Sequence, residues 1–102
     1  MRCLVKVSIP TEAGNRMVKR PDFPEMMKGI VGDLKPEAAY YLALNGRRTA
    51  LFFCNLSDSS QIPGVAEPFW LAMGADVEIV PVLNQEDFNK AGPTIGAAAK
   101  KY

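Results

Sequence analysis

The sequence predicts a single α+β domain. Four antiparallel strands form one sheet in β-α-β-β-α-β order, with both crossover helices on one face and a helical tail. Three observations carry this reading. Residues 2–9 alternate between two faces, Asn45-Gly46 separates two apolar runs, and two stretches between the strands place apolar residues at helical spacing. A chain of 102 residues, 48% hydrophobic and 23% charged, has the size and composition of one globular domain, residues 1–102.

The first strand covers residues 2–9. Cys3, Val5, Val7 and Ile9 share one face, and Arg2, Leu4, Lys6 and Ser8 the other. Pro10 ends it. Thr11 is the expected N-cap of a helical region over 13–34, with a joint at Pro21. Asp22 and Glu25 have capping-box spacing at the restart, and Met26, Met27, Ile30, Val31 and Leu34 form the apolar stripe that follows.

Pro36 stops the helix. Residues 37–44 contain alanines that suit a helix, yet Asn45-Gly46 follows and residues 49–56 read as a strand. An Asn-Gly pair between apolar runs marks a type I′ hairpin, whose two central residues both need φ > 0. Residues 37–44 are therefore expected as a strand. Asp58-Ser59-Ser60 supplies N-cap candidates for a helix carrying Ile62, Val65, Ala66, Phe69, Trp70 and Met73 on one face. Pro68 lies inside that pattern and is expected to kink or divide the helix, and Gly74 is a natural stop. Residues 75–82 are the fourth strand, with Pro81 placing its end at an edge or an interface. Asn84 to Asp87 caps a short helix to about Ala91. Gly92-Pro93 resets the chain before a last helical turn or two over 94–102.

This topology is the ferredoxin-like plait. The composition excludes several chemistries. The sequence contains no histidine, which removes His-ligated metal sites and the Ser-His-Asp and Cys-His catalytic arrangements. Cys3 and Cys54 have no zinc spacing, so no metal and no cofactor is expected. Lys6 interrupts the apolar core that a signal peptide needs, and no run approaches a membrane span, so a cytoplasmic location without membrane attachment is expected. In a reducing cytosol both cysteines are expected as free, small apolar residues. If the first and third strands pair in a favourable register, however, Cys3 and Cys54 become neighbours and a redox-linked pair is conceivable.

One face of such a sheet is left open. Whichever way the register falls, the hairpin presents Tyr40 or Tyr41, Leu42 or Ala43, and Phe52 or Phe53 there, beside Leu4, Val80 and Val82. A contiguous apolar face of that size needs a cover. Nucleic-acid bases are one possible cover, but the first strand has no aromatic residue for stacking, no Lys/Arg-Gly-aromatic motif is present, and the net charge is only +1. No nucleic-acid partner is expected. A second copy of the chain is the other solution.

Pro36-Glu37-Ala38-Ala39-Tyr40-Tyr41, Gly46-Arg47-Arg48-Thr49, Glu67-Pro68-Phe69-Trp70, Ala75-Asp76-Val77-Glu78 and the closing run Glu86-Asp87-Phe88 with Lys90-Ala91-Gly92-Pro93 span nearly the whole chain. In them the sequence resembles the dimeric α+β barrel superfamily, and within it a group of small, mostly uncharacterised bacterial proteins. The resemblance implies that two plaits face their sheets into one barrel. It implies no single activity, since the superfamily includes cofactor-free oxygenases, lactone isomerases, haem enzymes and proteins without known activity. Its haem branch depends on an axial histidine, which this chain lacks.

Two functions are therefore expected as alternatives. The first is a homodimeric small-ligand-binding or structural module without chemistry of its own. The second is a cofactor-independent isomerase or oxygenase for a small aromatic or lactone-like substrate. In the second, Tyr40 or Tyr41 would polarise or protonate the substrate, Glu67 beside Pro68 would be the acid or base, and Arg47 or Arg48 would hold an anionic group. Asn55 and Trp70 complete the candidate ligand-binding residues, with Asp58 beside Asn55 at the strand end. Each has an ordinary structural role as well: packed tyrosines, solvated hairpin arginines, a surface glutamate, a helix-capping aspartate and a core tryptophan.

Overall fold

A computed structural model describes residues 1–102. The elements in chain order are β1 (Arg2–Ile9), α1 (Thr11–Val18), α2 (Phe23–Leu34), β2 (Ala38–Leu44), β3 (Arg47–Asn55), a 3₁₀ turn (Ser59–Gln61), α3 (Ile62–Met73), β4 (Asp76–Pro81) and α4 (Gln85–Lys101). The strands form one antiparallel sheet in the order β2-β3-β1-β4. This is the expected ferredoxin-like α+β architecture.

The alternation of β1 is realised in full: Cys3, Val5, Val7 and Ile9 are buried, and the residues between them are half-buried. Opposite them on β3 stand Cys54, Phe52, Ala50 and Arg48. Phe52 stacks on Phe69 of α3 at 5.7 Å, and Met17 of α1 and Met73 of α3 close the same core. The hairpin forms as its sequence dictates, with φ of 54° at Asn45 and 74° at Gly46. Gly74 ends α3 in the left-handed conformation, φ 57°. Pro81 lies at the end of β4, an edge strand, where its missing N–H disturbs no inner ladder.

Several expectations are corrected. The helical region over 13–34 is two helices, separated by residues 19–22 around Pro21. Thr11 is the first residue of α1, and Pro10 occupies the N-cap position without a side-chain cap bond. Asp22 stands at the N-cap of α2 but does not cap it. Its carboxylate accepts from Arg20 at 2.9 and 2.7 Å instead, so no box with Glu25 forms. Asp58 does cap, as expected, through a capping box with Gln61 on the 3₁₀ turn. Of the two outcomes expected at Pro68, division does not occur: α3 is continuous from Ile62 to Met73. β3 begins at Arg47, two residues before the expected start, because pairing with β2 continues to the hairpin turn.

The largest correction is at the C-terminus. Residues 85–101 form one helix through Gly92-Pro93, where a break was expected. The Asn84–Asp87 capping box starts it. None of its residues is buried. It gives the molecule principal extents of 58 × 28 × 20 Å.

Candidate functional site

The register of β2 against β3 assigns every ambiguous hairpin side chain. Tyr40 pairs with Leu51 and Leu42 with Thr49, on the open face that also carries Leu4, Phe53 and Val80. Tyr41 pairs with Ala50 and Ala43 with Arg48, on the face that the helices cover. The two tyrosines therefore project to opposite sides. Tyr40 meets Phe53 edge-on at 6.3 Å, and Tyr41 meets Phe52 edge-on at 6.0 Å.

The helices cover β1 and β3 but leave β2 bare, so a cleft opens between α1, α2 and the hairpin. Its volume is about 840 Å³, a size typical of small-molecule sites. Ile9, Met17, Val18, Phe23, Met27 and Ala50 form its apolar floor and walls; Tyr41, Arg47, Arg48, Thr11 and Asn15 bring polar groups to it. Two of the expected site residues, Tyr41 and Arg48, thus come together on one face, with Arg47 at the rim of the cleft.

The two arginines are not equivalent. Arg47 lies on the open face and donates to Asp76 of β4 at 3.3 Å. Arg48 lies on the helix side opposite Ile9 and has no carboxylate partner; its Nη1 donates to Asn15 Oδ1 at 3.0 Å. Gly14 makes that placement possible. A Cβ there would stand 2.8 Å from Arg48 Nη1 and 3.2 Å from Ile9 Cγ2, so the guanidinium occupies the space a side chain would fill. The result is an apolar cleft with one uncompensated cation at its mouth, an arrangement suited to an amphipathic anion.

The other expected residues lie elsewhere. Tyr40 lines a shallower depression on the open face with Arg2, Glu37, Phe53 and Leu83. Asn55 accepts from the Met1 ammonium at 2.9 Å, a tie at the sheet end. Glu67 is exposed on α3 and has no ion-pair partner. Trp70 is 45% exposed, not a core residue, because Ala66, Phe69 and Met73 take the buried stripe of α3 and leave Trp70 at its margin. Tyr40, Tyr41 and Glu67, the candidate acid–base groups, occupy three different surfaces, and no three potential metal ligands gather.

Sequence reasoning missed Thr11, Asn15, Met17, Val18, Phe23 and Met27 as lining residues. One signal pointed to them: Gly14-Asn15 is a poor pair inside a short helix by propensity, which marks a position where something approaches the backbone closely.

At the opposite end of the sheet, Arg2 joins two carboxylates from distant parts of the chain. Its Nη1 donates to both Glu37 carboxylate oxygens at 2.6 Å, and its Nε to Asp87 Oδ2 at 3.0 Å. Glu37 first, and Asp87 second, hold the guanidinium above its ordinary range. Compared with known protein families, curated proteins and solved structures, the chain shows no match.

Proposed function

We propose that this chain is a homodimeric small-ligand-binding module of the dimeric α+β barrel type, pairing through its open sheet face and holding an amphipathic anion in the cleft under α1 and α2. Arg48, a cation without an acidic partner at the mouth of a mainly apolar cleft, is the observation that supports the ligand class most strongly. A carboxylate would take the guanidinium bidentately while an aromatic or short aliphatic body lies against Met17, Phe23 and Met27. No acid–base pair lines the same cleft, so binding without chemistry is favoured over isomerase or oxygenase action. The reading includes no metal, cofactor or nucleic acid and a cytoplasmic setting. No helix is long and apolar enough to cross a membrane.

A titration followed by NMR tests the ligand class. Benzoate and octanoate are the probes, with benzamide as the uncharged comparison. Saturable shifts confined to Met17, Phe23, Met27 and Arg48 are expected, at least about tenfold weaker for benzamide and for Arg48→Gln. Shifts that never saturate, or that leave the cleft residues unmoved, overturn the proposal.

A further inference from the structure

The 11.1 kDa chain exposes 6952 Å². A compact monomer of that mass exposes about 5,700 Å². The excess of roughly 1,300 Å² is larger than the ~800 Å² each partner buries in a standard interface. The Cα radius of gyration, 16.8 Å, likewise exceeds the roughly 13 Å expected of a compact domain this long. α4 contributes to both departures, since none of its 17 residues is buried, and α2 and the edge strand β2, which bury no residue fully either, add to the exposed surface.

Three features of α4 bear on what it packs against. First, Phe88, Ala91, Ile95, Ala98 and Tyr102 recur at alternating intervals of three and four, the seam spacing of a helix that packs on another surface. Phe88 is 56% exposed and Ile95 49%. Second, Gly92, Pro93 and Gly96 lie inside the helix, each a departure from helix propensity, with proline costing about 3 kcal/mol and glycine about 1. Isolated helices are marginal below about 12–15 residues even with good formers, and these three residues weaken a helix only slightly longer than that, so α4 depends on tertiary packing, of which its own domain gives little beyond the half-buried Asp87 and Ala91.

Third, the exit of α4 is fixed. Asp87 N donates to Asn84 Oδ1 at 2.8 Å and Asn84 N to Asp87 Oδ2 at 3.1 Å, while Arg2 Nε holds the same carboxylate. Val82 N donates to Arg2 O at 3.0 Å just before the helix. Folding α4 back over its own sheet would carry Asp87 away from Arg2 and lose that contact. The departure point adjoins Tyr40, Phe53 and Leu83 on the open face, where a second copy would meet the sheet. At about 1.5 Å per residue the helix reaches roughly 26 Å, close to the 28 Å breadth of the molecule.

We propose that α4 is an exchanged arm, which lays its Phe88–Ala91–Ile95–Ala98–Tyr102 stripe on the second copy of the homodimer. This rests on pairing through the open face and adds a second, separable contact to it. The arm accounts for the continuous helix through Gly92-Pro93, which local propensity does not support.

Light scattering first establishes the assembly of the full chain. Amide hydrogen exchange then compares the wild type with Leu51→Glu, which places a charge in the open face, and the dimer dissociation constant is compared between wild type and Ile95→Asp. Amides of residues 94–101 are expected to exchange at least about tenfold more slowly in the dimer than in the Leu51→Glu monomer. Ile95→Asp is expected to raise the dissociation constant about tenfold or more while leaving the fold intact. A dimer in which these amides exchange as fast as in the monomer overturns the arm and leaves open-face pairing standing, as does an unchanged dissociation constant for Ile95→Asp. Protection that persists in the monomer also overturns it, since the helix then packs on its own domain. A monomeric wild type overturns open-face pairing and the arm together.

Discussion

Cys3 and Cys54 face each other across β1 and β3 on the buried side of the sheet. Met1 and Leu56 exchange two backbone hydrogen bonds, of 2.7 and 2.9 Å, so the pair two residues on is also a hydrogen-bonded one, with Cα atoms about 5.5 Å apart. That spacing is within disulfide range. Burial pushes the Cys54 thiol above its ordinary value, with Cys3 and then Glu37 adding to the effect, so the reactive thiolate is disfavoured. Both cysteines are therefore expected to be reduced and shielded. Native protein should react slowly with a thiol reagent at neutral pH, and two thiols should be counted after unfolding without reductant. Rapid native reaction, or fewer than two thiols, would contradict this.

The Arg2–Asp87 contact makes stability depend on acid. Asp87 is held below its ordinary carboxylate range, first by the backbone of Asn84 and then by Arg2. A group depressed in the folded state contributes stability above its unfolded pKa, and that contribution disappears as pH falls through the folded one. Asp22 and Asp58, lowered by Arg20 and by Ser60, act in the same direction. The denaturant midpoint should fall as pH drops below about 4. Asp87→Asn should lower it at pH 7 and flatten the acid dependence. An unchanged pH profile in the variant would show that the contact contributes nothing.

Lys35 caps α2 in the left-handed conformation, φ 50°, and its N–H donates to Val31 O at 3.0 Å. A residue with a Cβ is strained there by about 1 kcal/mol, which glycine relieves. Lys35→Gly should therefore stabilise the protein by roughly that amount and raise the melting temperature by about 4–8 °C. A drop in melting temperature would contradict the assignment of strain to Lys35.

Phe52 is fully buried between Phe69 and Tyr41. Phe52→Ala should cost about 3–5 kcal/mol, read from chemical denaturation. A cost below about 1 kcal/mol would mean that the core is not centred on this ring.

Much of the fold was legible because it is written locally. The period of two in residues 2–9, the two positive φ angles that Asn45-Gly46 accommodates, and the Gly74 stop each depend on near neighbours. What was not legible depends on distant ones. Asp22 has the spacing of a cap, but Arg20 competes for its carboxylate and wins. Asp87 and Arg2 are 85 residues apart, and no local pattern announces their contact. Tyr40 and Tyr41 differ by one position and swap faces with a one-residue slip, so only the β2–β3 register separates the open face from the cleft. The cleft itself was half legible: Arg48 was singled out, whereas Asn15 and the methionines that surround it belong to helices whose relative placement the sequence does not specify.

Pairing through the open face is the central claim, since Leu4, Tyr40, Leu51, Phe53 and Val80 lie together there without a cover. Light scattering on the eluting protein at about 50 µM tests it most directly. At micromolar or tighter affinity most of the protein would be paired at that concentration. Twice the chain mass of 11.1 kDa is predicted for the wild type, with Leu51→Glu folded and at the mass of one chain. A wild type that elutes with the mass of a single chain would contradict the account.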